Sequence, residues 1–148
     1  MPRSSKALRR FNYLLSETDA AYHEAASRLG LADSVMQILY AVYDSAEGDR
    51  CPLSEVCRCT GISKQTINSA LRKLEADGVV RLERAGGRNK DVCLTQRGMA
   101  LARSTAAKII EAEDAVLASW PAQDVAAYLS LTERYLTAFR EEIKNWDK

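Results

Sequence analysis

The sequence predicts a mainly α fold with a small α+β centre: six helices and one two-stranded β-hairpin. Three observations predict it. Apolar residues recur at intervals of three and four over most of the chain. Two short β-like runs, Val79-Val80-Arg81-Leu82-Glu83 and Lys90-Asp91-Val92-Cys93-Leu94, flank a glycine-rich, basic segment. The 7 glycines and 3 prolines punctuate the chain between such stretches. With 148 residues, 47% hydrophobic and 28% charged, the chain is one ordinary domain's worth. It can bury a core without disulfide or metal staples.

The elements follow in order. Over residues 5–29 the apolar seam runs through Leu8, Phe11, Leu14, Leu15, Thr18, Ala21, Tyr22, Ala25 and Leu29, and Gly30 stops the helix. At ~1.5 Å per residue this helix is ~37 Å long, too long to be buried inside one small domain. A second helix starts at Asp33 or Ser34, both good caps, and buries Val35, Ile38, Leu39 and Val42. Glu47-Gly48-Asp49 turns the chain. Residues 52–60 read as a two-turn helix, Gly61 as a turn and Ser63 as a fresh cap. The helix after it, residues 64–76, has its apolar set at Ile67, Ala70, Leu71 and Leu74 and ends at Asp77-Gly78. The hairpin follows. Thr95 then caps a helix over residues 96–119, broken by Trp120-Pro121, and a last helix covers residues 122–143. The terminal helices carry stripes that nothing in a monomer obviously covers. They read as a subunit interface, or else as part of a monomeric helical bundle.

Several classes are excluded. No apolar run approaches the ~18 residues of a membrane span. The basic start, Met-Pro-Arg-Ser-Ser-Lys, is followed by no continuous apolar stretch, so no signal peptide and a cytoplasmic location are expected. A single histidine argues against multi-histidine metal sites and histidine-based catalysis. There is no nucleophile–base pair, glycine-rich nucleotide loop or metal-ligand cluster. The expectation is a protein that is not an enzyme and needs no cofactor or metal.

Net charge is only +1, but it is unevenly spread. Residues 1–49 sum to −2, residues 50–90 to +5, residues 91–98 to zero and residues 99–148 to −2. A basic block between two acidic ones points to a polyanion, although such a run is also what a solvated face looks like.

Within that block, helix, glycine turn and helix form a helix-turn-helix, and the basic hairpin after it makes a winged one. A helix fits the ~12 Å major groove of duplex DNA. Opposite the apolar stripe of residues 64–76 lie Gln65, Ser69, Arg72 and Ala76, with Thr66 and Asn68 on the flanks. Gln and Asn suit adenine and Arg suits guanine. Gln65, Asn68, Ser69 and Arg72 are expected in the groove. Ser63, Lys64, Thr66 and Lys73 are expected on phosphates, helped by the free N–H groups of the first turn. From the hairpin, Arg84, Arg88, Asn89 and Lys90 reach phosphates or a minor groove, with Gly86 and Gly87 allowing close approach. A solvated helix and hairpin are the plainer alternative, as is a winged helix that docks on a protein.

The run Leu53-Ser54-Glu55-Val56, then residues 61–68, then Leu71-Arg72-Lys73-Leu74-Glu75-Ala76-Asp77-Gly78-Val79-Val80, resembles the DNA-binding core of the MarR family of bacterial transcriptional regulators. Leu94-Thr95-Gln96-Arg97-Gly98 resembles that family's strand-to-helix junction. The resemblance implies an obligate homodimer on double-stranded DNA with a palindromic operator. It implies repression, often relieved by a small molecule, here a small aromatic effector. It places a dimerisation region at residues 1–32 and 98–148 and a winged DNA-binding domain at residues 33–97, with recognition helix 63–77 and wing 84–90. Many members carry Asp-x-Arg in the wing; this one has no aspartate at the tip, and Arg88 takes the arginine's place.

The four cysteines are Cys51, Cys57, Cys59 and Cys93. They are small core hydrophobes, or one is a thiol sensor, for which Cys51 is the candidate because it falls in a turn. The family's redox-sensing members usually carry their reactive cysteine in the first helix, and this sequence has none there. Tyr13, His23, Tyr40 and Tyr43 are the candidates for an effector pocket, against ordinary packing.

Overall fold

The computed structural model describes residues 3–148. Two compact units divide the chain, one running through Ile110 and the other from Glu111 to Lys148.

The first unit begins with α1, Lys6–Arg28. The Ser5 hydroxyl caps it by accepting the Leu8 N–H at 3.0 Å. At its other end the Leu31 N–H returns to the Ala26 carbonyl at 3.0 Å, around Gly30 at φ 76°. That wrap satisfies a carbonyl the helix leaves open, and it needs a residue tolerant of positive φ. Helix α2, Asp33–Tyr43, starts one residue earlier than the two expected caps allow. The cap is Ala32, without a side-chain bond, because Asp33 is already helical. Its carboxylate instead accepts from His23 Nδ1 at 2.8 and 3.0 Å, tying α2 to α1.

Next come strand β1, Arg50–Pro52, helix α3, Leu53–Thr60, and helix α4, Lys64–Ala76. Strands β2, Val80–Gly86, and β3, Asn89–Leu94, form the hairpin. The sheet is antiparallel with order β1-β3-β2, so the hairpin gains a third strand. The helix expected over residues 96–119 is present in two segments, α5, Gln96–Ser104, and α6, Ala106–Ala118. Thr105 interrupts it. Its hydroxyl donates to the Leu101 carbonyl at 2.6 Å, and its backbone leaves the helical region at φ −130°.

Helix α2 is the hub of this unit. Its Ile38, Leu39 and Val42 are fully buried against Val56 of α3, Ile67 and Leu71 of α4, Val92 of β3, and Ala102 and Ala106 beyond the sheet. Each large side chain so buried stabilises the fold by roughly 1.5–3 kcal/mol. The predicted stripe of α4 is the one that is buried, which turns its opposite face outward.

In the second unit, helix α7, Ala122–Lys144, is followed by a single 3-10 turn, Asn145–Asp147. No residue of α7 is buried. Trp120 packs edge-on to Tyr128 at 5.6 Å, and Tyr135 stacks on Phe139 at 5.9 Å. Among the described residues, no helix is long and apolar enough to cross a membrane.

Candidate nucleic-acid interface

The candidate interface is built on α4 and the hairpin. Helix α3 ends at Gly61, φ 65°, and the Thr60 hydroxyl accepts the Ile62 N–H at 3.3 Å, closing the turn into α4. The Ser63 hydroxyl accepts the Thr66 N–H at 3.2 Å and lies 2.9 Å from the Thr66 hydroxyl. Both hydroxyls expected on phosphates are thus engaged in capping. The N–H groups of Lys64 and Gln65, which have no partner within a helix's first turn, remain for an anion.

Burial of Ile67, Leu71 and Leu74 leaves Lys64, Gln65, Thr66, Ser69, Arg72 and Lys73 exposed and Asn68 half-buried. Thr95, at the foot of β3, fixes the hairpin to the rest. Its hydroxyl lies 2.6 Å from the Gly78 carbonyl and accepts the Gly98 N–H at 3.0 Å. The Thr95 N–H donates to the Val79 carbonyl at 3.1 Å.

The hairpin strands run further than the sequence pattern reached, and the tip narrows to Gly87 and Arg88 beyond the Gly86–Asn89 pair, with Gly86 and Gly87 at φ 119° and 59°. Arg84, Arg88, Asn89 and Lys90 are all exposed on it. Arg84 stands directly opposite Lys90 in the register. Like charges in that arrangement repel and weaken a hairpin.

The cations of residues 50–90 fall into two groups. Arg58 is held by Glu55 at 2.6 Å, Arg81 by Glu83 at 2.6 Å, and Arg50 by Glu83 and Asp91 at 2.9 and 3.1 Å. Hydrogen bonding from Arg81, with help from Arg50, holds the Glu83 carboxyl below its ordinary range. Among the described residues, Lys64, Arg72, Lys73, Arg84, Arg88 and Lys90 take no part in an ion pair. All six belong to α4 or to the wing.

Arg50 and its two carboxylates were invisible to sequence reasoning. A three-residue strand is too short for its alternation to register. The only signal was an arginine beside a turn glycine.

Cys51 requires a correction. It lies in β1, not in a turn, and is 2% exposed. Burial first, then the neighbouring Cys59 and Glu55, push its thiol up to about 11. Such a thiol is a poor nucleophile, so the ground for choosing it as a redox sensor is gone. Cys93 is buried too, and burial raises its thiol. Cys59 is exposed. In the native protein at neutral pH, iodoacetamide is expected to label Cys59 and to spare Cys51 and Cys93. Mass spectrometry of the digested protein reads the order, and equal labelling of Cys51 and Cys59 would contradict this burial.

The effector candidates are dispersed. Tyr40 and Tyr43 lie on α2, partly buried against the core. Tyr13 is exposed on α1 with the Arg10 guanidinium 5.2 Å from its ring centre, and His23 is exposed and paired with Asp33. Within one protomer these four share no buried site. Among the described residues, no group of three or more His, Cys, Asp or Glu is placed to hold a metal ion.

A two-helix motif with a turn, followed by a basic hairpin fixed to its second helix, is a winged helix-turn-helix. Residues 29–89 match the family model of the MarR family. No curated protein sequence matches the chain. Solved structures share the fold. NMB1585, a MarR family regulator from Neisseria meningitidis, aligns at TM-score 0.78 and 18% identity over 97% of this chain and 100% of its own. The S. aureus MepR–DNA complex aligns at TM-score 0.68 and 14% identity, over 93% and 99%. PcaV from Streptomyces coelicolor, in complex with its natural ligand, aligns at 0.65 and 20%, over 93% and 99%.

Proposed function

We propose that the chain is a homodimeric transcriptional regulator that binds a palindromic duplex operator and represses from it. The observation that carries this reading is the pair Arg84 and Lys90. Two cations face each other across the wing, without an ion pair, beside an α4 face whose own cations are also unpaired. A polyanion relieves that repulsion, and a protein partner of ordinary composition does not. The MepR–DNA neighbour supports the same reading.

Gln65, Asn68, Ser69 and Arg72 enter the major groove. Lys64, Lys73 and the first-turn N–H groups take phosphates, and Arg84, Arg88, Asn89 and Lys90 act from the wing. The second copy covers the apolar faces of α1 and α7. Residues 1–32 and 98–148 serve as the dimerisation region in this reading, and residues 33–97 as the DNA-binding domain. A small aromatic effector bound by Tyr13, His23, Tyr40 and Tyr43 would release the operator. Because Tyr13 and His23 are exposed in the protomer, that site needs the second copy to close it. PcaV, solved in complex with its natural ligand, supports ligand binding in this fold.

The test is to sequence the genomic fragments that the purified protein retains at moderate salt. An enriched palindrome with half-sites about 10 bp apart is expected. Retention without any motif would demote sequence reading to non-specific binding. On the enriched site, Arg72→Ala is expected to cost about 1–3 kcal/mol of discrimination against the wrong base. Specific binding should fall more than binding to random duplex, and an equal fall would make Arg72 a phosphate contact.

A further inference from the structure

We propose that Arg50 is the positioning residue of the wing, clamping its two strands at the point where the sheet loses its third strand. The inference rests on the nucleic-acid reading for its consequence but not for its geometry. Pro52 pairs with Asp91 at the end of β1, and beyond that pair β2 and β3 have only each other. A two-stranded ribbon is marginal by itself.

At this level the register sets Glu83 directly opposite Asp91. Two carboxylates facing across a hairpin repel and would splay it at the root. Arg50 reaches across from β1 and prevents this. Its guanidinium donates to Glu83 Oε2 at 2.9 Å and to Asp91 Oδ2 at 3.1 and 3.3 Å. Glu83 is held a second time, by Arg81 at 2.6 Å. Asp91 is the more buried acid, and its ion pair is with Arg50. The planar fork suits this bridging, because one group serves two carboxylates in fixed directions.

Arg84 and Lys90 follow Glu83 and precede Asp91 immediately, so the clamp sits one residue below the wing cations. It does two things there. It cancels acidic charge that would repel a phosphate, and it fixes the root from which Arg84 and Arg88 project. Arg50 itself, bound to Glu83 and Asp91 and with Glu47 at 3.8 Å, is not a nucleic-acid contact.

The experiment combines amide exchange with a mutant cycle. In Arg50→Ala, exchange of the wing amides of residues 83–91 is expected to quicken about tenfold, with the α2 and α4 core unchanged. Duplex affinity is expected to fall about tenfold. Adding Arg84→Ala and Arg88→Ala to Arg50→Ala should cost much less than adding them to the wild type, because the wing is already lost. Asp91→Asn, which removes the unpaired acid, should recover most of the wing's protection. Loss of a distant charge alone would leave the two effects additive. Additive losses, or unchanged wing exchange, would therefore overturn the clamp. If the alanine variant does not fold, Arg50→Lys keeps the charge without the fork and is expected to loosen the wing part-way; full wild-type protection would overturn the proposal. If the wild type itself retains no duplex, the nucleic-acid reading fails, and the exchange data still judge the clamp.

Discussion

Gly98→Ala is expected to destabilise the winged unit by about 4 kcal/mol or more, a loss in the range that marks a specific structural failure. A methyl group at this position would sit 1.9 Å from the Val79 carbonyl oxygen and 3.0 Å from its carbon. Neither side can yield cheaply. The carbonyl is backbone, already bonded to the Thr95 N–H at 3.1 Å. The same residue's N–H closes the end of α4 by donating to Leu74 at 2.9 Å. On the other side, the Gly98 N–H is bound to the Thr95 hydroxyl. The gain in helix propensity from alanine, about 1 kcal/mol, cannot offset the clash. For a chain of this size, 4 kcal/mol corresponds to roughly 8–16 °C in the thermal midpoint. Gly78→Ala is the comparison. A methyl there meets nothing within 4 Å, so only its φ of 73° is penalised, at about 1–2 kcal/mol. Calorimetry on the two variants checks the difference, and equal losses would mean that the Gly98 contact relaxes.

On the proposed homodimeric, operator-binding reading, Leu136→Asp is expected to yield monomers and to weaken duplex binding at least a hundredfold. Leu136 is 46% exposed on α7, in a stripe with Leu129, Tyr135, Phe139 and Ile143, none of them buried. Such a stripe over 23 residues gains nothing from an isolated protomer. Covered by a second copy, each large side chain contributes on the order of 1.5–3 kcal/mol, and an unpaired aspartate at the centre removes the contact and adds a desolvation cost. Operator binding falls because two linked winged units gain about 10²–10⁴ over one by effective concentration. The protomer's own core lies in residues through Ile110 and does not include Leu136. Sedimentation and operator titration on the same preparation check both halves. A variant that stays dimeric and binds normally would remove α7 from the interface.

These two expectations draw on different kinds of information. The apolar stripe of the last helix is written in the sequence, because helical periodicity is a local property of side-chain spacing. So are the caps Ser63 and Thr95, the stop at Gly30 and the outward face of the fourth helix. Each depends on residues within four positions. The clash at Gly98 is not legible in this way. Glycine near the start of a helix reads as a weak choice, and only the folded chain brings Val79, nineteen positions earlier, against it.

The candidate site divides along the same line. The exposed side chains of α4 follow from where its apolar residues fall. Which basic residues are available does not follow, because Arg50, Arg58 and Arg81 count equally with Arg72 and Arg84 in a sum of charges. Contacts along one strand or helix neutralise Arg58 and Arg81, and a contact across 41 residues neutralises Arg50. Cys51 shows the other direction of error. Its neighbours suggested a turn, but pairing with Val92 made it a buried strand residue. By itself, the sequence determined which segments are helical, the presence of the hairpin and the polar face of α4, since all are set by local spacing and capping. The tertiary structure decided the third strand, the need for glycine at position 98, the burial of Cys51 and the pairing of Arg50, because each arises from residues far apart in the chain and close only after folding.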